Sequence, residues 1–69
     1  MRSGLRAGKV VSFDVANGLG LIAPYGGDEH VPFQAQAIRF VDRVTEGQPV
    51  IYATEGAVAA VRAVEVRPA

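Results

Sequence analysis

The sequence predicts a small all-β domain, five antiparallel strands wrapped into a barrel, and three observations carry that expectation. Eleven of the 69 residues are valine, and β-branched side chains suit a pleated, half-buried surface better than a helix. The apolar runs are short and are separated by Asn-Gly, Gly-Gly and Glu-Gly pairs, the punctuation of tight turns. Cysteine is absent and histidine occurs once, so neither disulfides nor a structural zinc cluster supports the core, and apolar packing must do so. A closed or nearly closed barrel is how so short a set of strands removes its edges.

Taken in order, residues 1–4 read as a flexible start and residues 5–67 as one domain, with no internal repeat. "LRAGKVVSFDV" supplies the first strand through Val10, Val11, Phe13 and Val15. Asp14 to Gly18 turns the chain, because Asn17 and Gly18 both tolerate positive φ, and "LGLIA" follows as the second strand. In that strand Leu19 and Leu21 share one face while Gly20 and Ile22 point the other way. "PYGGDE" is a loop. "HVPF" is a short third strand that Pro32 confines to an edge or an end, since proline cannot donate to a ladder.

Phe33, Ala37, Phe40 and Val41 fall at helical spacing, which predicts a helical turn or two near residues 34–38. "TEGQ" is a tight turn around Gly47, and "PVIYAT" is the fourth strand with Pro49 at its start. "GAVAAVRAVEVRP" reads as the fifth strand on the alternation of Val58, Ala60, Val64 and Val66, although Val58, Val61 and Val64 also repeat every three residues.

Seven basic side chains balance seven acidic ones, so no global field draws in a polyanion. From Val10 to Phe33 there is no Lys or Arg, while Asp14, Asp28 and Glu29 lie in that segment. The start "MRSGLRAGKV" has no apolar signal core and no run is long enough to span a bilayer, so a soluble cytoplasmic protein without membrane contact is expected. His30 beside Asp28 and Glu29 lacks a second histidine or a cysteine to complete a metal site. With one histidine and no cysteine, no nucleophile–base pair is evident, and neither an enzyme nor a bound cofactor is expected.

Four segments in order resemble the cold-shock domain, the five-stranded oligonucleotide/oligosaccharide-binding (OB) barrel: Gly8-Lys9-Val10-Val11-Ser12-Phe13-Asp14, Asn17-Gly18-Leu19-Gly20-Leu21-Ile22, Asp28-Glu29-His30-Val31-Pro32-Phe33 and Glu46-Gly47-Gln48-Pro49-Val50-Ile51-Tyr52. The resemblance covers nearly the whole chain. It implies single-stranded RNA or DNA as partner, bound by bases stacking on an outer face of strands one to three. It also shows that face thinned: Ser12 stands where the family has tryptophan, Leu19 and Leu21 where it has two phenylalanines, and Pro32 where it has histidine. Val11 and Asn17 occupy the positions of flanking lysines. The resemblance implies Phe13, Leu19, Leu21, His30 and Phe33 as the stacking set. Lys9 and Arg62 complete the candidate binding residues as cations, Arg62 with Arg39 and Arg43 edging a groove if the long loop after strand three and the last strand fold back over the face. Binding is expected to be weak and tolerant of sequence. The alternative is a protein-interaction or self-associating module, a homodimer for instance, that uses Phe13, Leu19, Leu21 and Phe33 as an exposed apolar patch.

Overall fold

The computed structural model describes residues 4–27, 29–56 and 60–69. Five strands form one antiparallel sheet: β1 (Arg6–Asp14), β2 (Leu19–Pro24), β3 (Val31–Gln34), β4 (Pro49–Glu55) and β5 (Arg62–Pro68), in the order β3-β2-β1-β4-β5. β1 is the shared strand, pairing with β4 through Arg6 to Lys9 and with β2 through Gly8 to Asp14. The sheet curls so that its edge strands approach: Ile38, after β3, forms a parallel bridge to Val66 of β5, and the Arg39 amide donates to the Val66 carbonyl at 2.7 Å. The result is the expected small five-stranded barrel, left partly open between β3 and β5. No helix among the described residues is long and apolar enough to cross a membrane.

The turns form where the sequence places them. Gly18 adopts φ 69°, and its amide donates to the Asp14 carbonyl at 2.7 Å, closing the β1–β2 turn. Gly47 adopts φ 85° and its amide reaches the Val10 carbonyl at 2.7 Å, so the "TEGQ" turn is tied directly to β1. Pro49 begins β4, and Pro32 sits in the edge strand β3, where a missing donor costs no ladder bond on the open side.

The core gathers Val10, Ile22, Val31, Phe33, Val44, Val50, Tyr52 and Val66, with Ala37 and Ala63 filling smaller gaps. Two β-bulges decide which residues enter it. In β1 the register steps from Val10↔Ile22 to Ser12↔Leu21, leaving Val11 as the extra residue. Val10 and Phe13, three apart, therefore both turn toward the core. In β5 a second shift leaves Glu65 and Val66 opposite Tyr52 alone, with Glu65 at φ 52°, a left-handed conformation costly for a residue with a Cβ.

That second bulge corrects the expected alternation of the last strand. Ala63 and Val66 are buried while Val64 is only half-buried, so the inner face is set by a spacing of three and not by Val64 with Val66. Val58, the first residue of the alternating set, lies outside the described residues. The helical turn expected near residues 34–38 is present as a single 3-10 turn, Ala35–Ala37, although the spacing of Phe33, Ala37, Phe40 and Val41 does not form one helical face. Phe33 is claimed by β3, Ile38 is already extended at its bridge to Val66, and Phe40 adopts φ 74°, which ends any helix. Only Ala37 of the four sits in that turn, buried against the core.

Candidate nucleic-acid interface

The outer face of β1, β2 and β3 is built from two cross-strand rows. Asp14, Leu19 and Gln34 form one row, and Ser12, Leu21 and Pro32 form the other. Leu19 is 52% and Leu21 36% exposed; their neighbours on this face are a carboxylate, an amide, a hydroxyl and a proline ring. Lys9, exposed on the same face, stands opposite Ala23 and brings the one lysine of the chain to the far end of the patch. His30 is exposed just before β3, on the same alternation as Pro32.

Phe13 and Phe33 do not join the leucines, which corrects the expectation of a four-residue exposed patch. Both lie on the opposite, inner face. Phe33 is 2% exposed, and Phe13 is half-buried against it with ring centroids 5.7 Å apart and planes 7° from parallel. The cause is local. Gly20 pairs with Phe13 on one side and Phe33 on the other, and without a Cβ it leaves room for the Phe33 ring, on which Phe13 stacks. A Cβ there would overlap Cζ and Cε1 of Phe33 and come within 2.9 Å of the Ser12 carbonyl oxygen. The Gly-x-Gly spacing thus has two separate uses: Gly18 supplies positive φ, and Gly20 supplies room for the Phe33 ring.

The β1–β2 turn is held by Asp14. Its carboxylate accepts from the Asn17 side-chain amide at 2.6 Å, the Asn17 backbone amide at 3.3 Å and the Ala16 backbone amide at 3.0 Å. The Asn17 bonds above all, with a smaller share from Ala16, hold this carboxyl below the ordinary carboxylate range. A fixed negative charge therefore stands beside Leu19.

Arg62 lies away from this face. It opens β5, pairs across to Glu55 in β4, and its Nη2 is 2.9 Å from Glu55 Oε1. Arg39 lines one groove with Arg62, as the sequence allowed, whereas sequence reasoning missed the exposure of Phe40. Arg39 turns its Nη1 onto the Gln36 carbonyl at 2.8 Å, beside the same opening between β3 and β5. Phe40, read as part of a helix face, is instead 82% exposed, more than any other large hydrophobic side chain of the described residues. The available signal for Phe40 was its place in the long connection between the third and fourth strands, where Arg39, Asp42 and Arg43 surround Phe40-Val41.

A solved structure titled "drosophila Unr CSD456" superposes on 97% of this chain with a TM-score of 0.80 at 12% sequence identity. The fold is that of a cold-shock domain. This chain spans 27% of the length of that one, and at such identity the likeness is one of backbone path. No family model matches the sequence, and no curated protein does either. Within a cold-shock domain, as in OB barrels generally, the face of strands two and three and the loops joining strands one to two and four to five are where oligonucleotides lie. In this chain those elements carry Leu19, Leu21, Pro32, the Asp14–Asn17 turn and the Glu55–Arg62 pair.

Proposed function

We propose that this cold-shock domain binds single-stranded RNA or DNA weakly and with little sequence preference, through the outer face of β1–β3. The observation that carries the reading is the exposure of Leu19 and Leu21 side by side on β2 of an OB barrel. Lys9 and His30 flank them, the first as a phosphate contact and the second as a stacking ring, and Phe40 is a further exposed ring for an unpaired base. Phe13 and Phe33 serve this face from beneath, by fixing the course of β2 at Gly20. The cysteine-free sequence suits a reducing cytoplasm.

Leucine offers a base an apolar surface but no π-face, and each aromatic stack is worth about 1–3 kcal/mol. Three missing rings at the low end weaken a submicromolar binder by roughly a hundredfold, to a Kd on the order of 10–100 µM. Fluorescence anisotropy with short oligo-dT and oligo-U at low salt tests this, and no binding up to about 1 mM overturns it.

A second reading rests on the same face. Leu19, Leu21 and Pro32 form an apolar surface on strands with no cation, and such a surface on a small domain also suits a protein partner or a second copy. Sedimentation equilibrium with and without Leu21→Asp distinguishes the two: self-association abolished by the substitution favours the protein interface, and a strict monomer removes the homodimer.

A further inference from the structure

Two shallow grooves on the molecule share their middle. One, about 300 Å³, runs from Asn17 and Leu19 at the edge of the outer face to Gln34 and Gln36. The other, about 410 Å³, continues from Gln34 and Gln36 over Ala63 to Arg39, Arg62 and Glu55. Together they make a track that leaves the leucine face, passes over the β3 edge and ends in the opening between β3 and β5. Its lining changes along the way from leucine to amides to guanidinium groups, which is the order a nucleic-acid strand needs as its bases leave the stacking face and its phosphates continue alone.

The two arginines at the end of the track differ. Arg39 is oriented by carbonyls: its Nη1 donates to the Gln36 carbonyl at 2.8 Å and reaches toward the Ile38 carbonyl at 3.4 Å. It has no carboxylate partner among the described residues, so its remaining donors face the groove uncompensated. Arg62 is held instead by Glu55, at 2.9 Å, with both side chains about 60% exposed (60% and 59%). A carboxylate and a phosphate compete for the same planar fork of donors. Solvent access to the pair means that exchange requires no rearrangement of the fold.

Resting on the single-strand reading above, we propose that this groove is the exit site for the phosphate backbone of the bound strand, and that Glu55 is its built-in competitor, occupying Arg62 and limiting affinity. With Glu55 in place the groove carries the charge of two guanidinium groups less one carboxylate; without it both arginines are available to phosphate. The proposal makes a carboxylate, and not only the missing rings, a cause of weak binding. It also predicts a substitution that tightens binding without touching the stacking face.

The test is Glu55→Gln, titrated with oligo-dT by anisotropy across a salt series, beside Glu46→Gln, which changes net charge equally in the connection before β4. Glu55→Gln is expected to tighten binding roughly three- to tenfold at low salt and to steepen log K against log salt by about 0.7, one phosphate on a single strand. Glu46→Gln should leave the slope unchanged, and Arg62→Gln added to Glu55→Gln should return both quantities to wild-type values or below. Side-chain NMR provides a second readout: on adding oligo-dT, the Arg39 and Arg62 Nε–H and the Gln34 and Gln36 amide signals should shift in the Glu55→Gln protein. If Leu21→Asp abolishes binding but Glu55→Gln changes neither affinity nor slope, the groove is not on the path and this proposal falls while the outer-face reading stands. If Glu55→Gln tightens binding and Leu21→Asp has no effect, the outer-face reading falls and the groove alone is the site. If neither wild type nor Glu55→Gln binds, both are wrong.

Discussion

Replacing Leu19 and Leu21 by phenylalanine tests most directly whether the outer face is a stacking platform short of its rings. The structure sets the magnitude. Leu21 lies between Ser12 and Pro32, two small neighbours over which a ring can lie flat, so a gain of about 2 kcal/mol is expected there, mid-range for a base–aromatic stack. Leu19 lies between Asp14 and Gln34. The Asp14 carboxylate repels the phosphate of any base stacked at that point, so the low end, about 1 kcal/mol, applies. Allowing for coupling between adjacent sites, the pair should gain about 2–4 kcal/mol, a 30- to 900-fold drop in Kd.

The assay is the same anisotropy titration, run beside a thermal melt. Both leucines are exposed, Leu19 by 52% and Leu21 by 36%, and surface swaps usually stay within about 0.5 kcal/mol, or at most ~4 °C in Tm for a domain of this size. A fall in Tm well beyond that, with unchanged affinity, would show that the rings overpack a buried site and that these side chains are not free to meet a base. An added cation to test phosphate contact belongs at Ser12, beside Leu21, and not at Asn17, whose side-chain amide is committed to Asp14 at 2.6 Å. Ser12→Lys should steepen the salt slope by about 0.7.

Four other outcomes follow from the same geometry. Wild-type binding should have a shallow salt dependence, with a slope nearer about −1 than −3 on a log–log plot, because Lys9 is the one cation on the stacking face; a slope matching four or more phosphates refutes the charge map. Gly20→Ala should cost about 2–3 kcal/mol in urea denaturation, because the new Cβ meets the buried Phe33 ring and the Ser12 carbonyl; a loss under about 0.5 kcal/mol would mean that the ring pair is not seated over β2. Asp14→Ala should lower stability most at neutral pH: a carboxyl whose folded pKa is depressed contributes fully above its unfolded value near 3.9, and that contribution is lost as pH falls through the folded value. The gap between wild-type and variant urea midpoints should therefore narrow below about pH 4, and a gap independent of pH would assign the turn to something other than the carboxylate. Glu65→Gly should raise the urea midpoint by about 0.5–1 kcal/mol equivalent, since glycine relieves the φ of 52° in the β5 bulge.

The fold was legible in the sequence because its turns carry their own chemistry. Gly18 and Gly47 both occupy the positive-φ positions that the Asn-Gly and Glu-Gly pairs announced, and Pro49 begins a strand while Pro32 sits in an edge strand, as a missing N–H requires. The candidate site was legible only in part, for one physical reason that recurs. A period-two reading assigns faces by parity, and a bulge inserts one residue without leaving a mark in composition. The bulge at Val11 turns Phe13 inward with Val10, and the one at Glu65 puts Val66 rather than Val64 beside Ala63 in the core. Parity held on β2, where no bulge intervenes, and there Leu19 and Leu21 point outward as their alternation with Gly20 and Ile22 required.

The inward turn of Phe13 and Phe33 changes what the missing rings mean for function. Were all four apolar residues on one surface, the leucines would be the thin part of a platform that still held two rings, and binding would depend on the rings. With Phe33 buried and Phe13 half-buried against it on the inner side of the sheet, the outer face consists of two leucines, a proline, Ser12, Asp14 and Gln34, with Lys9 and His30 at its margins. On the proposed single-strand reading, such a face would discriminate poorly among bases, because leucine and proline present neither a π-face nor a hydrogen bond, and would hold phosphate poorly, because Asp14 stands at one end opposite a single lysine at the other. On that reading sequence tolerance and weak affinity would have the same origin, and further electrostatic grip on a strand would have to come from outside the platform, where Arg39 and Arg62 line the opening between β3 and β5.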